Sequence, residues 1–316
     1  MNNGLQDRFL TAVSTLTGCA VARDIPHVGL AVSGGPDSVA LLLLAERSLP
    51  GKISVATVDH GLRPDAASEA DYVAKLCAAR GISHQILRPS NPIAGNLQSA
   101  ARKARYALLH QWADERRLDW IATAHHADDQ LETVLMRLAR GSGVSGLSGI
   151  RKKNGRIIRP LLQFTKAELI DICAAAGVRA IADPSNDNAD FDRVRMRQWL
   201  ASGGHPLDPI AAVNSAAALA EAAAALDWMA ANLAGERMTR TGDAIIIDPA
   251  DLPAELARRL IVAAAVSLSP GYRPRGPAVS RLHAKLLAGE KAMIGDILCA
   301  GGKLWRFCLA PPRQKR

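Results

Sequence analysis

The chain has 316 residues, of which 48% are hydrophobic and 22% are charged, and its formal net charge is +9. This composition lies in the globular range and excludes a disordered or fibrous protein, and the length favours two domains. The longest uninterrupted apolar runs fall well short of the roughly 20 residues that cross a bilayer, so we expect no transmembrane helix and no membrane partner. Five scattered cysteines without a CxxC pair argue against a disulfide framework or a cysteine metal site.

Residues 1–19 have the pattern of a short amphipathic helix and not that of a signal peptide, so we expect a cytoplasmic protein. Strand patterns and helical patterns then alternate along the chain. The first predicted strand lies in 28–36 and runs into a glycine turn, and further strands are predicted at 53–61, 83–88 and 120–126. The predicted helices are 37–47, 65–80, 96–116 and 128–140. The strand at 53–61 is apolar without alternation, as parallel strands covered on both faces are. This order predicts an α/β fold with a doubly wound parallel sheet.

The later part of the chain is interrupted at residues 201–209, where Gly, His and Pro break every periodic pattern. The predicted elements on the two sides of this break are a strand at 156–162, helices at 165–176 and about 210–234, a strand at 244–248 and a helix at 253–268. The helix at 165–176 opens on a capping box formed by Thr165 and Glu168. We therefore predict an N-terminal catalytic domain, 1–204, and a smaller, mostly helical α+β domain, 205–316.

Positive charge is concentrated at the end of the chain. From Gly271 onward there are ten Lys or Arg residues, and the only acidic residues are Glu290 and Asp296. This segment therefore carries +8 of the total charge of +9. A basic end on a nearly neutral body is expected of a surface that contacts a phosphate backbone. A solvated, solubilising tail would have the same composition.

A glycine-rich motif, SGGPDS, lies between the first predicted strand and its helix. It comprises Ser33, Gly34, Gly35, Pro36, Asp37 and Ser38. Glycines let the backbone approach a charged ligand, and the free N–H groups at a helix start bind anions. Ser33 and Ser38 can add hydroxyl donors. Because Asp37 would repel a bare phosphate, we expect Mg²⁺ to bridge its carboxylate and the phosphate oxygens. The alternative is an ordinary strand-to-helix turn with an acid at the helix start.

The SGGPDS motif is not a Walker A loop, because no Gly-Lys followed by Ser or Thr occurs in the chain. It resembles the PP-loop of the ATP pyrophosphatase family, whose pattern is SGGxDS. The resemblance implies that the loop holds the pyrophosphate part of ATP. It also implies that pyrophosphate is released after AMP has been attached to an oxygen of the substrate.

An acidic motif, AHHADDQLET, runs from the fourth predicted strand into its helix. Asp129 and Glu132 are three residues apart and would share one helical face, with Asp128 in the first turn. Such a cluster could hold Mg²⁺, position an amine or accept its proton. The alternative is helix capping by the two aspartates, with Glu132 facing solvent.

Other polar residues near the same sheet edge have less specific patterns. His125 and His126 lack a third ligand at a usual metal spacing, so we expect structural or substrate-positioning roles. Arg102 and Arg105 lie three apart on a predicted helix and could neutralise ATP or RNA phosphates, although a salt-bridged helix face is equally compatible. The segment GSGVSG at 141–146 matches G-x-G-x-x-G but follows a helix and precedes a strand, so we reject a dinucleotide site.

A closer resemblance rests on several motifs in order. They are SGGPDS (33–38), VDHGLRPDAASEA (58–70), GNLQSAARKARY (95–106), AHHADDQLETVLMRLARGSGVSGLSG (124–149), RPLL (159–162) and DPSN (183–186). Together they resemble the tRNA(Ile)-lysidine synthetase family over nearly the whole first domain. The resemblance implies an ATP-dependent ligase that joins L-lysine to the wobble cytidine of tRNA(Ile) with a CAU anticodon.

The same resemblance implies roles for individual residues. The implied catalytic residues are Asp37, Asp129, Glu132, Arg102 and Arg105. The implied ATP-binding residues are Ser33, Gly34, Gly35, Pro36, Asp37, Ser38, Asp59 and His60. Asp37 and Asp128 are the implied Mg²⁺ ligands. Members of the family often have an RN-x-x-R pattern where this chain has residues 193–197, which leaves the individual roles of Arg193, Arg195 and Arg197 open.

Two alternatives compete with this interpretation. A PP-loop tRNA thiolase would use the same ATP chemistry, but it usually needs a cysteine pair or iron–sulfur ligands, and the missing CxxC weighs against it. A non-catalytic RNA-binding protein on the same fold would not need the intact SGGPDS and DDQLET motifs. The sequence leaves the oligomeric state open, a homodimer included.

Overall fold

The computed structural model describes residues 3–19, 24–61, 66–90, 97–181 and 192–311. The DPSN motif at 183–186 lies outside these residues, as do the predicted helix starts at 65 and 96 and the last basic residues of the chain. Contacts divide the chain into two compact units. The first comprises Met1–Arg140 and Ser148–Ala217, and the second comprises Gly141–Leu147 and Ala218–Arg316. The functional boundary expected between residues 204 and 205 stays a prediction.

The elements up to residue 201 alternate between strands and helices. In chain order they are α1 (Asn3–Thr17), β1 (Val28–Ala31), α2 (Pro36–Ser48), β2 (Ile53–Val58), α3 (Ala66–Ala78), β3 (Ser83–Leu87), α4 (Leu97–Glu115), β4 (Trp120–Ala122), α5 (Ala127–Leu138), α6 (Val144–Leu147), β5 (Lys153–Asn154), β6 (Ile157–Ile158), α7 (Lys166–Ala175) and α8 (Asp192–Ala201). The strands form one sheet in the order β3-β2-β1-β4-β6-β5. Neighbouring strands are parallel except β5 and β6. The predicted doubly wound α/β fold is confirmed.

The centre of the sheet is packed from both sides. All four residues of β1 are buried, and α2 buries Leu41, Leu42 and Leu44 completely against it. Gly29 in β1 is required by this packing, because an added Cβ would lie 2.6 Å from the Trp112 ring. Close approach of the indole to the strand is the reason for glycine here.

Two strands are shorter at their carboxyl ends than the apolar patterns predict. β2 and β4 end at Val58 and Ala122, and the polar residues that follow them lie in loops, whereas β1 ends at Ala31 and leads into the predicted glycine turn. The predicted strand at 156–162 is reduced to β6, which pairs with the unpredicted β5 in a hairpin. The capping box of α7 is confirmed: the Thr165 hydroxyl accepts from the Glu168 N–H at 3.3 Å, and the Thr165 N–H donates to the Glu168 carboxylate at 2.8 Å.

The second unit combines helices with an antiparallel sheet. The elements after residue 208 are α9 (Pro209–Arg237), β7 (Met238–Thr241), β8 (Ala244–Ile247), α10 (Ala254–Leu268), α11 (Gly276–Leu287), β9 (Lys291–Ile294), β10 (Ile297–Ala300) and β11 (Trp305–Leu309). The strand order is β7-β8-β11-β10-β9, with every pair antiparallel. The core is aliphatic with two aromatic rings, Trp305 and Phe307. The predicted α+β character of this part is confirmed.

Helix α9 is long and rich in alanine. An 18-residue window within its 29 residues reaches a mean hydropathy of 1.4, and 17% of that window is buried. By length and composition the helix could cross a membrane. It contains no uninterrupted apolar run of that length, because Glu221 and Asp227 divide it. A single helix of this kind is weak evidence for a span. The absence of a membrane partner stays a prediction.

Candidate active site

The SGGPDS loop and the start of α5 come together at the carboxyl edge of the parallel sheet. The loop follows β1, the segment before α5 follows β4, and these two strands are neighbours. Because β2 extends the sheet on the other side of β1, the chain order reverses between β1 and β4. Open α/β sheets bind ligands at such a switch point.

The Ser38 hydroxyl holds the SGGPDS loop in shape. It accepts hydrogen bonds from the backbone N–H groups of Ser33 and Gly34, both at 3.1 Å, and donates to the Gly35 carbonyl at 2.9 Å. Ser38 is buried, whereas Ser33 is exposed. In this arrangement the Ser38 hydrogen is directed into the loop itself.

The loop leads into the N-terminus of α2, where backbone N–H groups can bind an anion. Gly34 has a φ of +94°, which favours glycine, and its carbonyl accepts from the Ile181 N–H at 3.0 Å. Gly35 is the N-cap of α2, and Pro36 occupies the first turn. The N–H groups of Asp37 and Ser38 belong to this first turn and have no intrahelical acceptor, so they are available to a phosphate.

His126 joins the two loops through three carboxylates. Its Nε2 lies 3.5 Å from Asp37 and 3.6 Å from Asp129, and its Nδ1 lies 3.4 Å from Asp128. Burial alone would lower the pKa of His126, but Asp128 and Asp37 outweigh it and raise the pKa to about 10. A cationic imidazolium therefore sits between the acids at neutral pH. By contrast, burial lowers the pKa of His125 to about 3, so this ring is neutral.

The residues expected to hold Mg²⁺ fit the ion in part. Asp37 Oδ1 is buried and has no hydrogen-bond partner among the described residues, as expected of an oxygen kept for a ligand. Asp128 uses Oδ2 to accept from the Lys166 N–H at 2.7 Å. No group of three or more His, Cys, Asp or Glu positioned for a metal is found in the described part of the chain. Mg²⁺ commonly takes only one or two carboxylates and completes its shell with phosphate oxygens and water, so a single carboxylate such as that of Asp37 is compatible with the ion.

The acidic pair on α5 is held by two arginines of α8. Arg197 donates to Glu132 at 2.7 Å and to Asp129 at 3.2 Å, and Arg193 lies 3.3 Å from the second Glu132 oxygen. Glu132 is 4% exposed, and its burial raises the pKa of the carboxyl despite Arg197. Burial acts in the same direction on Asp129, but the charge of His126 and the hydrogen bond from the His126 backbone N–H outweigh it and lower the pKa of Asp129. The pair can therefore bind a cationic group and includes an unusually basic carboxylate.

A cavity of about 170 Å³ opens beside the loop at the ends of β1 and β2. Ala31, Val32, Ala56 and Val58 form its apolar walls, and Ser33, His60 and Arg105 are among its polar lining. Burial lowers the pKa of His60, with the charge of Arg105 adding to the effect. Half of the ten lining residues are apolar and half are polar or charged, so the cavity can contact both the apolar faces and the polar edge of an aromatic base.

Two of the predicted site residues, Asp59 and Arg102, are not among the residues that line this cavity. Asp59 is turned into the β2–α3 connection, where it accepts from the Gly61 N–H at 2.9 Å and from Arg88 at 3.0 Å. Arg102 is exposed, and its guanidinium carbon lies 5.1 Å from the centre of the Tyr106 ring. The cavity lining includes Arg105 of the same helix instead.

Sequence patterns alone do not identify the contacts that His126 and Arg197 make with the acidic residues. The patterns predict only a structural or substrate-positioning role for His126 and leave the role of Arg197 open. A usable signal was the four-residue spacing of Arg193 and Arg197, which places both on one helical face opposite the acidic pair. Their pairing spans 65 residues of sequence, from Glu132 to Arg197, and spacing cannot indicate such a distant partner.

Comparison with known proteins agrees with this geometry. The sequence matches the PP-loop domain family over residues 6–202. A parallel sheet with this loop at its switch point and a matching family profile defines a PP-loop ATP-binding protein.

Relatives within this class narrow the assignment. A tRNA(Ile)-lysidine synthase from Zymomonas mobilis is 43% identical over 299 residues, covering 91% of this chain and 90% of that protein. The enzymes of the same name from Novosphingobium aromaticivorans (43%, covering 91% and 90%) and Ruegeria pomeroyi (42%, covering 89% and 71%) are similar. The chain belongs to the tRNA(Ile)-lysidine synthase family.

A solved structure agrees at the level of the fold. The U34-tRNA thiolase NcsA from Methanococcus maripaludis, determined with its 4Fe–4S cluster, has a TM-score of 0.56 and 19% identity, covering 68% of this chain and 78% of that one. At this identity the likeness concerns the fold alone.

Proposed function

We propose that this chain attaches L-lysine, through its side-chain amine, to C2 of the wobble cytidine in tRNA(Ile) with a CAU anticodon. ATP is consumed and leaves as AMP and pyrophosphate. The observation that carries the proposal is the position of an acidic pair, the half-buried Asp129 and the buried Glu132, on the helix that starts beside the phosphate-binding loop. His126 lies between Asp129 of this helix and Asp37 of the loop. Membership of the tRNA(Ile)-lysidine synthase family supports the identity of the substrates.

The first step activates the cytidine. Its C2 oxygen is a poor leaving group, so it attacks the α-phosphorus of ATP, and the bond from that phosphorus to pyrophosphate breaks. The N–H groups at the start of α2 hold the departing anion, in the way that oriented donors stabilise developing charge. The cavity beside β1 and β2 receives the adenine base, with His60 and Arg105 at its polar side.

The second step forms the carbon–nitrogen bond. The lysine amine attacks C2, the C2–O bond breaks, and AMP leaves with that oxygen. A lysine amine has a solution pKa near 10.4, so only about one in 10³ to 10⁴ molecules is neutral at pH 7. Asp129 and Glu132 bind the ammonium, and Glu132, whose pKa is raised by burial, accepts its proton. Arg197 keeps the pair ionised and aligned from the opposite side.

The remaining residues have supporting roles in this proposal. Asp37 would hold Mg²⁺, with Asp128 as the second candidate ligand, and the bound ion would neutralise phosphate charge. Arg105 counters phosphate charge near the cavity, and Arg102 on the same helix meets the RNA. Asp59 shapes the turn that carries His60. In this proposal the basic 205–316 region contacts the tRNA backbone and the protein acts in the cytoplasm. A homodimer is compatible with it.

The tRNA thiolase alternative is not favoured by the comparisons, since the closely matching relatives are lysidine synthases. In the described part of the chain all five cysteines are free, and no group of three or more His, Cys, Asp or Glu is positioned to hold a metal. Burial raises the pKa of the Cys173 thiol to about 11, so it is not a thiolate at neutral pH.

Pyrophosphate release tests the proposal. The wild-type chain should release pyrophosphate from ATP only when tRNA(Ile) is present, and AMP release should further require lysine. Asp37→Ala should abolish pyrophosphate release, whereas Asp171→Ala, which removes an exposed aspartate of α7, should not. Release by Asp37→Ala at the wild-type rate would refute the role of Asp37, and release without tRNA would refute the proposed substrate.

A further inference from the structure

A second cavity, of about 360 Å³, lies between α5 and α8. It is lined by Met136, Ala139, Arg140, Arg195, Met196 and Trp199. Trp199 is 50% exposed, and its ring stacks on His205 with 5.3 Å between centroids and 28° between planes. A large indole is thus held in a fixed orientation while half of its surface remains accessible.

The same two helices build this cavity and the acidic pair. On α8, Arg193 and Arg197 face Glu132, while Arg195 and Trp199, also four apart, line the cavity. On α5, Met136 follows Glu132 by four residues and lies on the same face. At 1.5 Å per residue, Met136 is about 6 Å along the helix from Glu132. The cavity therefore adjoins the place proposed for lysine and the reacting cytidine.

We infer that this cavity binds an unpaired base of the substrate RNA that is adjacent to the reacting nucleotide. The inference rests on the proposed function. The base stacks on the accessible face of Trp199, the thioethers of Met136 and Met196 contact its edge, and Arg140 and Arg195 face its phosphate. Aromatic platforms combined with arginine are the usual way to hold single-stranded RNA.

The charge of the cavity lining favours RNA over other ligands. Two of the six lining residues are arginines and none is acidic, which suits a polyanion. A planar base matches a rigid indole better than a flexible aliphatic side chain of a protein partner does. Holding one neighbouring base also orients the next nucleotide, so Trp199 is a positioning residue for the cytidine.

Replacement of the indole gives the first test, with the full chain, ATP, lysine and tRNA(Ile). Trp199→Ala should raise KM for tRNA about 5- to 150-fold, the range found for loss of one stacked base, and leave KM for ATP unchanged. Trp199→Phe keeps an aromatic face and should recover most of the loss, whereas Trp199→Leu should not. Leu138→Ala removes an exposed hydrophobic residue of α5 that is 59% exposed and outside the cavity lining, and it should leave both KM values unchanged.

RNA lacking a base gives the second test. Transcripts with an abasic site on the 5′ or the 3′ side of the wobble cytidine are compared with both proteins. If the missing base is the one that occupies the cavity, its removal and Trp199→Ala should have non-additive effects on KM for tRNA. On that transcript Trp199→Ala should then have nearly the same KM as the wild type. Full additivity at both positions would overturn the inference.

The outcomes separate the inference from the function on which it rests. If the wild-type chain transfers no lysine to tRNA(Ile), the proposed function fails. If the wild type is active but Trp199→Ala keeps KM for tRNA within twofold, only the cavity assignment fails. If Trp199→Ala melts at lower temperature and raises KM for ATP and tRNA alike, Trp199 is structural and the inference is overturned.

Discussion

Replacement of Ser38 by alanine should disorganise the ATP-binding loop. The substitution removes two hydrogen bonds that the hydroxyl accepts, from the N–H groups of Ser33 and Gly34, and one that it donates to the Gly35 carbonyl. A neutral hydrogen bond contributes about 0.5–1.5 kcal/mol net, so three are worth about 3 kcal/mol. Since Ser33 is exposed, water can replace part of this, and we expect a net loss of about 2 kcal/mol.

The loss should appear in ATP binding. If ATP must restore the loop that Ser38 no longer holds, its Kd rises about 30-fold, as measured by equilibrium dialysis. Ser54→Ala provides the matched control. Ser54 lies in β2 and is also buried, and its hydroxyl forms a hydrogen bond with His27, outside the loop. This control should lower the free energy of unfolding without changing Kd for ATP. A wild-type Kd for Ser38→Ala would refute the organising role of the hydroxyl.

Three further predictions follow from the same geometry. Glu132→Gln should raise KM for lysine about 10- to 150-fold, the value of a lost charge-assisted contact, with Kd for ATP unchanged; a change in Kd for ATP alone would contradict the assignment. Gly34→Ala should destabilise the fold by about 1–2 kcal/mol in urea unfolding, because φ is +94° while the nearest atom, of Ile181, leaves room at 3.4 Å; an unchanged midpoint would show that the loop relaxes. The Gly61 N–H, with Arg88, holds the pKa of Asp59 below 3.8, so its stabilisation is present above pH 3.8 and lost as pH falls through the lowered pKa. Asp59→Asn should therefore be less stable than wild type at pH 7, with the difference shrinking below pH 3.8; a constant difference would argue against the linkage.

Local chemistry explains what the sequence alone predicts. The SGGPDS loop, the start of α5 and the capping box of α7 are each formed by residues close in sequence, and their residue types restrict the backbone directly. Strand and helix order follows from apolar periodicity, so the doubly wound sheet is predictable. The short strands β5 and β7 are missed because two to four residues with exposed side chains carry no apolar pattern.

Distant pairing explains what the sequence alone does not predict. Arg197 reaches Glu132 only because α8 packs beside α5, and the charge state of His126 depends on Asp37, which lies on another strand's loop. The direction of the Ser38 hydroxyl is also unavailable from the motif. The motif suggests that the Ser38 hydroxyl donates a hydrogen bond to phosphate. In the structure the turn of the backbone directs this hydroxyl hydrogen to the Gly35 carbonyl. Such features depend on tertiary packing and not on residue spacing.

Transfer of labelled lysine is the most direct measurement of the central claim. The chain is incubated with ATP, radiolabelled lysine and unmodified transcripts of tRNA(Ile) and of elongator methionine tRNA, both with a CAU anticodon. We predict that label becomes covalently attached to the wobble cytidine of tRNA(Ile) and that methionine tRNA stays unlabelled. Absence of label on tRNA(Ile) while ATP is still cleaved, or equal labelling of both transcripts, would contradict the account.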